Sequence, residues 1–154
     1  MANMKKNGNT YFFCLLVLIV FVSDRITKIF VASKFQLNYS VPIINKIFHY
    51  TYIHNYGVGF GLLQNKQIIP ITISFLVIGL MIYYYKRYSD KLLLIISLSL
   101  ILGGTISNLV DRLQYGYVID FIDFRIWPIF NIADSAITIG AIILGYYMLK
   151  EKKK

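Results

Sequence analysis

The chain has 154 residues, of which 57% are hydrophobic, 16% aromatic and only 15% charged. A mean hydropathy of +0.61 excludes an ordinary soluble domain, which needs more polar surface at this size. The net charge of +9 would suit a nucleic-acid binder, but the bases lie in short clusters beside apolar runs, the pattern of a membrane protein.

A membrane span takes about 20 mostly apolar residues, and four stretches meet that need. The first covers residues 11–30, with Asp24, Arg25 and Lys28 in its last part. The start also has signal-peptide features: Lys5 and Lys6 before the apolar run, and Val31-Ala32-Ser33 as a small-residue end. The three charges between run and end argue against cleavage. Cys14, the one cysteine, reads as a small packing residue.

Residues 32–67 form a long loop that is not linker-like. Val41 to Tyr52 is rich in Ile, Val, Phe and Tyr and predicts short strands. Asn55-Tyr-Gly57-Val-Gly59-Phe60-Gly61 follows. Its alternating glycines permit turns and close backbone approach, but the spacing is not that of a phosphate-binding loop. His49 and His54 have no metal-ligand spacing around them. Spans two and three cover residues 68–85 and 92–113, a second loop covers 114–128, and span four covers 129–149.

Lys5 and Lys6, then Lys86, Arg87 and Lys91, then Lys150, Lys152, Lys153 and Lys154 all fall on one side of a four-span chain. The positive-inside rule makes that side cytoplasmic. Both termini are then inside and both long loops outside.

Of the seven acidic residues, Asp90 and Glu151 belong to the cytoplasmic side. Asp24, Asp111, Asp120, Asp123 and Asp134 gather at the outer face. Ionisable groups at membrane depth face a bundle interior or a polar cavity. Asp24 has Lys28 one helical turn on, Asp111 has Arg112 beside it, and Asp134 is placed to cap its helix. Asp120, in the extended Val118-Ile-Asp120-Phe121, points away from its apolar neighbours. Two carboxylates sharing a low-dielectric site hold one proton between them, which is what acid–base hydrolysis of a peptide bond requires. No Ser-His or Cys-His arrangement competes. The residues therefore predict an aspartyl hydrolase at the outer face, with Asp111 as well as Asp120 and Asp134 open as dyad members. A proton-coupled transporter would want polar groups near the midplane and a repeated half, and the acids are confined to one face. A non-catalytic lipid-binding membrane protein would not require both carboxylates.

Five blocks resemble the lipoprotein signal peptidase (signal peptidase II) family of bacteria. Asp24-Arg-Ile-Thr27-Lys28 is similar to its DxxTK, and Asn55 to Gly61 to its NxGxxFG. Gly103-Gly104-Thr-Ile-Ser-Asn108-Leu-Val-Asp111-Arg112 resembles GxxxNxxDR, Val118-Ile-Asp120-Phe121 resembles VxDF, and Phe130-Asn131-Ile-Ala133-Asp134 resembles FNxAD. The resemblance spans nearly the whole chain.

It implies one membrane-embedded, all-α domain of four transmembrane helices, with a small extracytoplasmic β-platform from the first loop and a short helix between spans three and four. It implies a monomer in the bacterial cytoplasmic membrane. The implied activity removes signal peptides from prolipoproteins, cutting before a diacylglyceryl-modified cysteine. Asp120 and Asp134 become the catalytic dyad, and Asp24, Lys28 and Asp111 become structural support. Asn55, Gly104, Asn108, Arg112 and Asn131 become substrate-contacting residues, with Asn131 also orienting the dyad. The resemblance implies no metal, no cofactor and no nucleic acid. Its partners are lipid-modified prolipoproteins and membrane lipids, with globomycin as an inhibitor. Two departures stand out: the connection from Asp120 to Asp134 is short, and Ser107 precedes Asn108 where Gly or Ala is usual.

Overall fold

The computed structural model describes residues 2–57, 67–88 and 90–152, with side chains described from residue 7. Helix α1 spans Ala2–Lys34, strands β1 and β2 span Ser40–Ile44 and Phe48–Asn55, and helices α2 and α3 span Ile68–Tyr88 and Leu92–Tyr115. Strand β3 covers Val118–Asp123 and helix α4 covers Ile132–Glu151. Residues 58–61 of the glycine-rich block lie outside the described residues.

Helix α3 is the central element. It is buried along most of its length and packs against α1, α2 and α4. By contrast, only Pro70, Ser74 and Met81 of α2 and Ala133, Ala136 and Gly140 of α4 are buried. Their other faces remain apolar, as in helices whose outer surface meets hydrocarbon rather than water. Among the described residues, three helices are long and apolar enough to cross a membrane: Ile68–Tyr88, Leu92–Tyr115 and Ile132–Glu151. At one end of the bundle Phe13, Met81, Leu94, Ile95 and Leu98 form the core, and Phe13 stacks on Tyr85 with centroids 3.9 Å apart. Cys14, expected to pack, is instead on the exposed side of α1.

Small residues set the closeness of the helices. A Cβ on Gly104 would come within 2.5 Å of the Ala133 carbonyl on α4, and one on Gly103 within 2.9 Å of the Val17 carbonyl on α1. Such approach is what small residues permit between membrane helices.

The sheet has the order β1-β2-β3, both pairs antiparallel. Pro42, which has no N–H to donate, sits in the edge strand β1 beside a bulge. Gly116 ends α3 with φ 75 and donates its N–H to the Arg112 carbonyl, a left-handed cap that glycine adopts without a Cβ clash. The chain then turns directly into β3.

This corrects two expectations. The platform takes its third strand from the second loop. No short helix lies between α3 and α4, because β-branched and aromatic residues make 118–123 a strand and 124–131 is irregular. Phe130 closes that segment back: Phe121 and Ile122 donate their N–H groups to its carbonyl at 3.0 and 2.8 Å. Ile119 and Phe121 pack with Val31 of α1 and Tyr52 of β2, which ties the sheet to the end of α1.

Candidate active site

The site builds up from a buried ion cluster. Asp24 and Lys28 sit one turn apart on α1, with Lys28 Nζ 2.6 Å from Asp24 Oδ2 and 2.8 Å from Asp111 Oδ2. All three side chains are fully buried. Arg25 pairs with the other oxygen of Asp111. Asp24 also accepts from Ser107 Oγ at 2.6 Å and from the Ala133 N–H at 2.8 Å, so α1 holds the first turn of α4. Asp111 is joined to Arg25 and Lys28 rather than to its neighbour Arg112, because adjacent residues on a helix do not face each other. Neither Arg25 nor Ser107 was picked out from sequence as a working residue. Arg25 lies three residues before Lys28, a helical spacing that puts both bases on one face.

Lys28 connects this cluster to the layer above by donating to Asn108 Oδ1 at 2.9 Å. Asn108 in turn donates through Nδ2 to Asp134 Oδ1 at 2.7 Å. Asn131 bridges the two carboxyl groups. Its Nδ2 donates to Asp120 Oδ1 at 2.7 Å, and its backbone N–H donates to Asp134 Oδ2 at 3.3 Å. Its Oδ1 accepts from the Asp134 N–H at 2.8 Å, which completes a capping box at the start of α4. Asp134 thus caps its helix and also faces Asn108. From β2, Asn55 Nδ2 reaches Asp120 Oδ2 at 2.8 Å.

Asp120 is fully buried. Burial first, and the charge of Asp134 second, push its carboxyl up to about 8 against the opposing donors Asn55 and Asn131 and the charge of Lys28. Asp134 is half-buried and lies between two clefts. One, of about 460 Å³, runs between α2, α3 and α4, with apolar walls such as Ile73, Val77 and Ile137 and a polar end at Asn108, Arg112 and Asp134. The other, of about 330 Å³, lies under the irregular segment, between Phe124, Trp127 and Phe130 and the start of α4. That segment is held by Asp123, which accepts from Thr51 Oγ1 at 2.7 Å and from Arg125 Nη1 at 2.9 Å. Among the described residues, no group of three His, Cys, Asp or Glu could hold a metal ion.

Two residues expected to contact substrate have protein partners. Gly104 is buried with its open side against Ala133 and Ile137, so it sets helix distance. Asn131 is fully buried, and its side chain is committed to the Asp120 carboxyl group and the Asp134 backbone N–H. Asn108 is nearly as buried, at 4% exposure, although it borders the larger cleft. Arg112 borders it too. It donates to the Gly57 carbonyl at 3.3 Å, and its Nε is buried with no hydrogen-bond partner among the described residues.

Comparison with known proteins gives the family. Residues 16–150 match the family model described as Signal peptidase (SPase) II. The chain is 41% identical to a lipoprotein signal peptidase of Halothermothrix orenii, over 90% of this chain and 96% of that one. It is 46% identical to one of Moorella thermoacetica, over 89% and 92%. A solved structure titled as a bacterial membrane enzyme is similar at a TM-score of 0.87 and 30% identity, covering 91% of this chain and 88% of that one. A second with the same description gives 0.82 and 31%, covering 90% and 92%. The match runs from the apolar part of α1 to the end of α4 and takes in both carboxyl groups with the asparagines between them, and the chain belongs to the signal peptidase II family of bacterial membrane peptidases.

Proposed function

We propose that this chain is an aspartyl endopeptidase that removes signal peptides from lipid-modified prolipoproteins, with Asp120 and Asp134 as its dyad. The observation that carries the reading is Asn131, which donates to both carboxyl groups and so holds them as one unit. Asp134 stands at the N-terminus of α4, where the helix dipole favours negative charge, so it is the carboxylate. Asp120, pushed up to about 8 by burial and by that neighbour, carries the proton at neutral pH. Asp134 takes a proton from a water molecule, whose oxygen adds to the scissile carbonyl carbon. Asp120 gives its proton to the carbonyl oxygen. The tetrahedral diol then collapses, the C–N bond breaks, and the amine leaves with the proton held by Asp134, while the diol returns one to Asp120.

Asp120 Oδ2 accepts from Asn55, so a scissile carbonyl reaches the acid by displacing or sharing that donor. Asn108 and Arg112 stand at the polar end of the larger cleft, whose apolar walls suit the lipid chains of a modified cysteine. Asp24, Lys28 and Asp111 hold the layer beneath. The apolar part of α1 serves as a fourth span, both termini lie in the cytoplasm, and cleavage occurs at the outer face, before the diacylglyceryl-cysteine. The protein acts as a monomer, and globomycin occupies the same site.

The test is cleavage of a synthetic prolipoprotein peptide by purified protein, read by mass spectrometry. The peptide carrying diacylglyceryl-cysteine is cut just before that residue, the unmodified peptide is not, and Asp120→Asn cuts neither. Undiminished cleavage by Asp120→Asn overturns the dyad. Topology is tested by reporter fusions: Lys5, Ser89 and Lys154 read cytoplasmic and Tyr117 reads outside, and a cytoplasmic Tyr117 overturns the four-span arrangement.

A further inference from the structure

At the end of the bundle opposite the dyad, α2 and α4 pack on α3 from two sides and leave a groove of about 410 Å³. Its floor is Leu94 and Leu98 of α3 with Met81 of α2, and Leu144 and Met148 form the α4 wall. The Leu144–Glu151 wall is two helical turns, or about 10 Å, long enough to seat part of an acyl chain and too narrow and apolar to hold a peptide backbone, whose polar groups would go unpaired. Tyr84, Tyr88 and Tyr147 also line it. Tyrosine favours the level where hydrocarbon meets headgroups.

Charge decides which lipid. The Arg87 guanidinium carbon lies 5.6 Å over the Tyr88 ring, and its Nε is 3.4 Å from the Tyr88 hydroxyl, so a planar cation stands beside Tyr88, which lines the groove. Lys91 is the N-cap residue of α3, one turn before Leu94, and Lys150 is in the last turn of α4. With Lys86 and Lys152, five bases among the residues whose side chains are described belong to this end, against two acids, Asp90 and Glu151. Glu151 itself lines the groove. A phosphodiester would pair with Arg87, Lys91 and Lys150, while Glu151 would accept from a headgroup hydroxyl. A lipid whose headgroup is a polyol on a phosphate satisfies both sets, and a choline headgroup, with no donor, satisfies one.

We propose that this groove is a binding site for an anionic glycerophospholipid of the phosphatidylglycerol type, one acyl chain on Leu94 and Leu98 and its phosphate at Arg87 and Lys91. The site is separate from the dyad and does not depend on the cleavage chemistry.

The test uses the full chain purified in detergent and exchanged into bilayers containing equal parts of phosphatidylglycerol, phosphatidylethanolamine and phosphatidylcholine with the same acyl chains. Lipid retained on the intact protein is then identified by native mass spectrometry. Phosphatidylglycerol is expected to be enriched over each of the others. Arg87→Gln and Lys91→Gln should each lower that enrichment by about fivefold, the effect of one base near a membrane phosphate. Met148→Trp, at a position 62% exposed and therefore free of folding constraint, should displace the lipid by filling the groove. Equal retention of the three lipids, enrichment of phosphatidylethanolamine, or an enrichment indifferent to all three substitutions would overturn the proposal.

Discussion

Lys28→Met removes a charge and keeps most of the stem that fills its space. In the native chain Lys28 is fully buried between two carboxylates, 2.6 Å from Asp24 and 2.8 Å from Asp111, and donates to Asn108 at 2.9 Å. The cluster of Asp24, Arg25, Lys28 and Asp111 is neutral, and the substitution leaves it with one uncompensated negative charge. Asp111 retains Arg25. Asp24 loses its cation and keeps only the neutral donors Ser107 and the Ala133 N–H. Breaking a buried pair by removing one partner costs about 3–5 kcal/mol, which at this chain length corresponds to a fall of about 6–20 °C in melting temperature. Adding Asp24→Asn restores neutrality, so the double variant should regain about 2–3 kcal/mol of that loss through coupling. Melting of the parent and the two variants in one detergent, followed by helical circular dichroism, measures both numbers. A single variant within about 1 kcal/mol of the parent, outside the buried-pair range, or a double variant less stable than the single, would refute the reasoning.

Asn at Asp120 or at Asp134 should lower cleavage per folded molecule by about three orders of magnitude, and the double variant should be scarcely worse, since members of one catalytic unit are not additive. With Asp111→Asn the loss should fall mainly on thermal stability, leaving measurable turnover; a dead but stable Asp111→Asn would move the dyad. Asp120 is pushed up to about 8, above its unfolded value, so the folded chain binds more protons between about pH 4 and 8 and its stability falls as pH rises through that window. Cleavage should likewise decline on the alkaline side of about pH 8 as the proton donor is lost, and calorimetry of Asp120→Asn should show a flatter dependence of stability on pH. Gly104→Ala forces α3 and α4 apart by the clash with Ala133 and should cost about 1–3 kcal/mol, as overpacking does, measured by melting. Cleavage should persist in strong chelator; a loss restored by zinc would refute the carboxyl mechanism.

The five sequence blocks were legible because each carries residue types that are expensive at membrane depth. Asp24, Asp111, Asp120 and Asp134 had to meet partners, and the helices and the strand on which they fall bring them to one end of the bundle. The spacing of Asp24 and Lys28 was enough to read their pair. The pairing of Asp111 was misread because adjacency in sequence substituted for direction on a helix, and Arg25 looked like a flanking charge. Gly104 was read as a ligand contact because its block is functional, yet its neighbour across the helix interface, Ala133, lies on another element altogether. No pattern in one segment reports such a contact. The strand at Val118–Asp123 was visible as an extended piece, but its pairing with β2 joins two loops separated by two helices, and only the folded chain shows it. The lower pole of the bundle was the least legible. Its tyrosines carry no sequence pattern, and it is the groove between α2 and α4 that brings Tyr84, Tyr88 and Tyr147 together.

The buried ion cluster also has a consequence for how the chain is made. In the four-span arrangement proposed above, Lys28 and Asp24 pair within one helix, so α1 enters the bilayer with these two charges already matched. Arg25 has no such local partner, and its counter-ion lies 86 residues downstream. From the emergence of α1 until α3 is in place, that charge must stay within reach of water, because a lone guanidinium is costly in hydrocarbon. Arrival of Asp111 releases this constraint and lets the end of α1 settle beneath the sheet. In that arrangement the layer of Asn108 on α3, Asn131 at the N-cap of α4 and Asp134 in its first turn closes only once the charges beneath it are matched.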